Sequence, residues 1–179
     1  MPLIERHPPI VESALPAASP AAPLTCRLQS EDETRALAQA LARALLLPGG
    51  PGAVFITLDG ELGAGKTTLV RHLLHALGVT GRVKSPTYAV VEPYEVGSLA
   101  IWHFDFYRFE DPQEWEDAGF RDIFASPGLK LAEWPDKAGD LLPQADVALH
   151  LQVLGDVSRQ LTLQGVTPAG RLLLQGLVL

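Results

Sequence analysis

The sequence predicts an α/β protein with a mostly parallel sheet between helical layers, extended by antiparallel strands toward the C-terminus. Three observations carry this. Residues 53–58 form an unbroken apolar run containing Val54, Ile56 and Thr57, as a strand buried on both faces requires. That run leads into a glycine-rich segment, 60–65, and then a helical pattern from Lys66 to Leu77 closed by Gly78. The last part, 145–179, carries strand-like runs at 146–153, 160–165 and 171–178, with Gly155, Pro168 and Gly170 between them. These three runs are expected to form an antiparallel meander. A strand, a glycine loop and a helix in that order point to a three-layer fold of the P-loop NTPase type.

The chain opens on a Pro/Ala-rich stretch, 1–23, without hydrophobic period, which predicts a flexible tail. A single domain is expected over 24–179. Residues 24–28 read as a short strand. Ser30 then offers an N-cap, and Glu33 three residues on completes a capping-box signature. The helix that follows places Leu37, Leu41, Ala44 and Leu45 on one face, and Pro48-Gly49-Gly50 stops it. Further on, Ser85-Pro86-Thr87 must be non-helical, because the residue before proline is pushed to extended geometry. Residues 88–94 and 99–106 read as strands joined by a turn at Gly97 and Ser98. A short helix is expected over 112–118. Residues 129–133 read as a buried strand stopped by Pro135.

Composition narrows the function classes. The 179 residues are 47% hydrophobic and 20% charged, which excludes disorder over the whole chain. A net charge of −7 makes direct binding to naked nucleic acid a poor expectation. One cysteine, Cys26, excludes an internal disulfide and a multi-cysteine zinc site, and reads as a small core residue. No apolar run approaches the ~18 residues of a membrane span. Prolines and acids interrupt the N-terminal stretch, so no signal peptide is expected and the reading is cytoplasmic.

The strongest functional signal is Gly60-Glu61-Leu62-Gly63-Ala64-Gly65-Lys66-Thr67, which matches G-x-x-x-x-G-K-[ST] throughout. Glycines let several backbone N–H groups converge on one phosphate, and the helix that follows adds the positive end of its dipole. Lys66 brings a charge to the β- and γ-phosphates, and Thr67 offers a hydroxyl to Mg²⁺. An NTPase also needs a carboxylate at the metal or its water. Asp105 and Glu133 both end apolar strands, at the carboxyl edge where open α/β sheets gather ligands.

Other readings of a P-loop fare less well. A guanine-reading Asn-Lys-x-Asp is absent, although Asp136-Lys137-Ala138-Gly139 fits D-x-x-G. A kinase lid would need arginines late in the chain, and those after Arg121 are Arg159 and Arg171, in strand-like segments. An ATPase coupled to a partner remains, with a nucleotide-gated binding module as its rival. His103 shares a face with Asp105 and reads as a core or supporting histidine, with metal ligation as the alternative. Trp134 is either a packing aromatic or a contact to nucleotide or partner. Trp115 sits among Glu114, Glu116 and Asp117 and reads as part of a solvated acidic face or as a docking patch.

Four motifs in order complete the picture. The loop continues into Thr68, as G-[DE]-L-G-A-G-K-T-T. Ser85-Pro86-Thr87-Tyr88 follows, then His103-Phe104-Asp105-Phe106-Tyr107-Arg108 as H-F-D-x-Y-R, then Glu133-Trp134-Pro135. From about Ser30 onward the chain resembles the bacterial TsaE family, P-loop ATPases needed to make threonylcarbamoyladenosine on tRNA. The long Pro/Ala start departs from that family's short one. The resemblance implies ATP and Mg²⁺ as cofactors, with Thr67 and Glu133 at the metal and Asp105 near the metal or the attacking water. It implies a γ-phosphate-sensing loop at Thr87, and nucleotide contacts from Thr34 near the base and from Arg159. It also implies TsaD and TsaB as partners, with tRNA reached through that complex. No arginine finger stands out in the loop. Arg108 in cis, or a partner, would have to supply one, so slow turnover by the chain alone is expected.

Overall fold

Alternation along one strand sorts the molecule into two cores. In β2 (Ala53–Asp59) of this computed structural model, Val54, Ile56 and Leu58 enter an aliphatic core, while Phe55 enters an aromatic one on the other face of the sheet. The structure describes residues 22–47 and 53–177. The expected tail, up to its last two residues, and the Pro48-Gly49-Gly50 stop lie outside them. The remaining strands are β1 (Leu24–Leu28), β3 (Val91–Val96), β4 (Leu99–Asp105), β5 (Gly128–Glu133), β6 (Val147–Val153) and β7 (Arg159–Gly165). The helices are α1 (Glu31–Leu45), α2 (Lys66–Leu77), α3 (Pro112–Asp117), α4 (Phe120–Ala125), α5 (Pro135–Ala138) and α6 (Pro168–Gln175).

Seven strands make one sheet in the order β1-β7-β6-β2-β5-β4-β3. Its centre is parallel: β2 pairs with both β5 and β6, and β4 with β5. Antiparallel strands close both edges, β3 beside β4 and the pair β7 and β1 beside β6. The parallel sheet, the helices on both faces and the P-loop order match the expected class. Helices α1, α2 and α6 cover the aliphatic face through Leu37, Leu41, Leu69, Leu73 and Leu173. Helices α3 and α4 cover the aromatic face, where Trp115 stacks on Phe124 at 5.4 Å and Phe104 meets Phe120 edge-on at 5.3 Å.

The capping box at Ser30 forms with a small shift. Ser30 Oγ accepts from the Glu33 amide at 3.2 Å, while Glu33 reaches back to the amide of Gln29 at 2.6 Å. Three expectations need correction. The run 171–178 is not a third meander strand, because most of it lies in α6. Thr167 caps that helix by accepting from the Gly170 amide at 3.2 Å, and Pro168 occupies its first turn. Consecutive leucines 172–174 suit strand and helix alike, and the cap decides. The antiparallel extension is therefore β7 with the N-terminal β1, while β6 belongs to the parallel centre. Residues 88–90 are not strand either; β3 begins only at Val91, after a turn. Trp115, finally, is neither solvated nor available for docking. It is 3% exposed and faces the aromatic core, while its acidic neighbours face water.

Candidate functional site

The site forms where the parallel strands end. β2 delivers the chain into the turn at Gly60, and two glycines there have no substitute. Gly60 has φ +142°, and a Cβ on it would lie 2.3 Å from the Leu151 carbonyl oxygen. Gly65, at φ +104°, starts α2 in the left-handed region. The N-terminus of α2 consequently faces the cleft with its amides free of side-chain caps.

Lys66, at the start of α2, is 4% exposed. Its Nζ donates to the carbonyls of Gly60 at 2.6 Å and Glu61 at 3.0 Å, and sits 3.6 Å from the centre of the Trp134 ring. Burial lowers its pKa from the ordinary lysine value, against the pull of Glu133, Asp59, Asp105 and Glu61. Thr67 Oγ1 donates to Glu133 Oε2 at 2.9 Å. The other oxygen of Glu133 meets His103 Nε2 at 2.8 Å. The metal-site threonine and carboxylate expected from the sequence are thus in direct contact, 66 residues apart in the chain.

Asp105 stands beside Glu133 in register across β4 and β5. Its Oδ2 accepts from the hydroxyls of Ser85 and of Thr87, the latter at 2.9 Å, and its Oδ1 from the Tyr107 amide at 2.9 Å. Asp105 therefore anchors the Ser85-Pro86-Thr87 turn. Together Lys66, Thr67, Asp105, Glu133, Thr87 and Trp134 line one open cleft of about 390 Å³. Thr34 and Arg159 lie across the P-loop, in a neighbouring cleft of about 260 Å³, and Thr68 borders both clefts. Arg159 Nε donates to the Ala64 carbonyl at 3.0 Å, bracing the loop from behind. Glu61, Leu62 and Gly63 form the exposed outer turn of the loop.

Sequence reasoning passed over the role of Ser85 and left that of Trp134 open between packing and contact. Ser85 bonds Asp105 together with Thr87; the hydroxyls at i and i+2 around a fixed proline were the available signal. The placement of Trp134 over Lys66 rests on its left-handed backbone, φ +59°, which no local pattern announces. Arg108 stacks on the exposed Tyr88 ring at 4.4 Å, at the rim of the larger cleft.

The donor set at Thr67 and Glu133 is all oxygen, which suits a hard divalent cation such as Mg²⁺. Among the described residues no three His, Cys, Asp or Glu side chains gather as a metal cage. Mg²⁺ in nucleotide sites needs none, since phosphates and water complete its shell.

Comparison with known proteins agrees with this fold. The sequence profile of the family described as threonylcarbamoyl adenosine biosynthesis protein TsaE matches residues 28–161. The tRNA threonylcarbamoyladenosine biosynthesis protein TsaE of Haemophilus influenzae is 43% identical over 119 residues, 66% of this chain and 75% of that one. Its counterpart in Bacillus subtilis is 37% identical over 143 residues, covering 80% and 86%. The crystal structure of Bacillus subtilis YdiB superposes with a TM-score of 0.69 at 29% identity, over 87% of this chain and 94% of that one.

Proposed function

The chain belongs to the TsaE family, and on that footing we propose that it is a Mg²⁺-dependent ATPase acting as an accessory subunit in the formation of threonylcarbamoyladenosine on tRNA. The observation that carries the ATPase reading is the 2.9 Å contact of Thr67 with Glu133 at the head of a P-loop helix. The role in tRNA modification rests on the names of the relatives.

In this reading the P-loop amides and Lys66 hold the phosphates of ATP. To do so Lys66 leaves the carbonyls of Gly60 and Glu61 and follows the phosphate charge. Thr67 and Glu133 are the residues that would hold Mg²⁺. A cation held there would supply positive charge to offset what develops on the phosphoryl oxygens. Asp105 holds Thr87 at the cleft, where the γ-phosphate and the attacking water would lie. Thr34 and Arg159 border the neighbouring cleft, on the side for the rest of the nucleotide. Arg108, stacked on Tyr88 and lining the larger cleft, is the candidate to approach the γ-phosphate in cis.

The partners proposed are TsaD and TsaB, with tRNA contacted through them, in the cytoplasm. Among the described residues no helix is long and apolar enough to cross a membrane. Exposed apolar side chains stand at both clefts: Leu62, 74% exposed, at the larger, Val157, 72% exposed, at the smaller, and Tyr88, 85% exposed, stacked on Arg108. Such a rim supports a protein cover over bound nucleotide. It also favours the second reading, a nucleotide-gated binding module in which hydrolysis is incidental.

The test is ATP turnover with Mg²⁺, for the chain alone and with the two partners, beside Lys66→Ala. The expected result is hydrolysis that rises with the partners and disappears in the variant. Tight ATP binding without turnover in either mixture would favour the gated module. Variants Asp105→Ala and Glu133→Ala that lose hydrolysis but keep the tRNA product would do the same.

A further inference from the structure

We infer that His103 is a positioning residue, set in the core to aim the Glu133 carboxylate at the hydroxyl of Thr67. The inference rests on the nucleotide-site reading above and extends it to a residue that touches neither ATP nor metal. His103 lies on β4 with no exposed surface, and Glu133 is 2% exposed. In the sheet His103 pairs with Leu131, so Glu133 is its diagonal neighbour two residues further along β5. A diagonal pair of long side chains can meet across that gap. They do, at 2.8 Å, His103 Nε2 to Glu133 Oε1.

For this bond to orient the carboxylate, Nε2 carries the proton and Oε1 accepts it. The other ring nitrogen, Nδ1, is buried and has no partner among the described residues. A buried acceptor left unpaired is costly, about 1–3 kcal/mol. Packing alone does not account for it. Ile101, two residues back on the same face, fills its place without such an orphan. What a histidine supplies here, and an aliphatic side chain does not, is one N–H at the tip of a rigid ring. That N–H occupies Oε1 and leaves Oε2 turned toward Thr67. With Oε1 held, the carboxylate has one orientation rather than two. Fixing a ligand carboxylate through its second oxygen is how outer hydrogen bonds sharpen metal sites, and their loss commonly costs 10–100-fold in metal affinity.

The test compares His103→Gln, which keeps an N–H near Nε2, with His103→Leu, which removes it. The probe is a non-hydrolysable ATP analogue, titrated by calorimetry across a Mg²⁺ series and in EDTA. The expected result is that His103→Leu needs about tenfold or more Mg²⁺ for tight binding. Its affinity in EDTA should match that of the unaltered protein, and His103→Gln should recover most of the loss. Equal Mg²⁺ dependence in all three proteins overturns the inference and leaves the nucleotide site standing. Equal losses in both variants, with and without Mg²⁺, reduce His103 to a packing residue and also overturn it. An unaltered protein whose binding ignores Mg²⁺ overturns the metal reading of the site itself, and the inference with it. Should His103→Leu fail to fold, the ring of His103 in the unaltered protein still decides. Nitrogen-15 NMR without nucleotide or metal should show a proton on Nε2, and a ring whose Nε2 carries none contradicts the assignment.

Discussion

Glu133 and Asp105 end neighbouring strands in register and are almost equally buried, at 2% and 3% exposed, yet they serve opposite walls of the cleft. Glu133 belongs to the P-loop wall, through Thr67, with His103 behind it. Asp105 belongs to the facing turn, through Ser85, Thr87 and Tyr107. The P-loop wall is made of backbone: glycines at positive φ, a helix N-terminus, and carbonyls that hold Lys66. In the facing wall, the side chains of the 85–87 turn hang on two hydroxyl bonds to a single carboxylate, with backbone bonds at Val90 behind them. A wall of backbone is shaped before any ligand arrives. A wall hung on two hydroxyls can rearrange when a phosphate or water competes for them, since hydrogen bonds to a charged group are worth about 1.5–3 kcal/mol each. The difference assigns binding to one side and response to the other.

The division is broken most severely at Gly60. Its Cβ position lies 2.3 Å from a backbone oxygen that has no room to yield. Gly60→Ala is expected to lose nucleotide binding by about 100-fold and stability by about 2–3 kcal/mol, read by calorimetry and urea unfolding. Asp105→Asn should divide the two properties instead. Binding of ATP should stay within about threefold, while partner-stimulated turnover falls by about 100-fold, in the range of a lost positioned base. Equal losses in binding and turnover would merge the two walls into one. A milder version is Thr87→Ala, which leaves Ser85 on the carboxylate. Removing one of the two hydroxyls is expected to cost turnover about tenfold to thirtyfold, with binding unchanged.

How much of this contrast was legible in the sequence follows from the same materials. The P-loop wall is local: eight consecutive residues specify its curl, and the strand before and helix after announce its setting. Asp105 and Glu133 were both legible as carboxylates at strand ends on one edge of a parallel sheet, and the choice of Glu133 beside Thr67 came from the family resemblance. The facing wall is assembled from 85–87 and 105–107, and no period links those segments. The aromatic face was read least well. Trp115 looked solvated because its neighbours are acidic, but one residue in a short helix can face inward while those beside it face out. α4 spans six residues behind Gly119 at φ +67°, too short to show a period. α6 was mistaken for strand because three successive leucines fit either template, while the cap at Thr167 was the signal that decides. Strand order was beyond reach, because pairing of β6 with β2 is set by packing between distant segments.

The smallest expected effect probes the strain held in the facing wall. Val90 closes its turn at φ +65°, where a β-branched residue is an outlier. Its amide donates to the Pro86 carbonyl at 2.7 Å, and its own carbonyl accepts from the Asp105 amide at 2.9 Å. Two backbone bonds thus hold the unfavourable dihedral and tie the turn to the strand that carries Asp105. Such a residue stores about 1–3 kcal/mol. Val91 is its control: it is also half-buried against the aromatic core but lies in regular β3. Replacing either valine by glycine removes similar apolar contact and adds similar chain entropy to the unfolded state. Only Val90→Gly also releases strain. Its stability is therefore expected within about 1 kcal/mol of the unaltered protein, while Val91→Gly loses about 2 kcal/mol. Urea unfolding reads the difference, and equal losses at the two positions would show that the turn carries no strain to release.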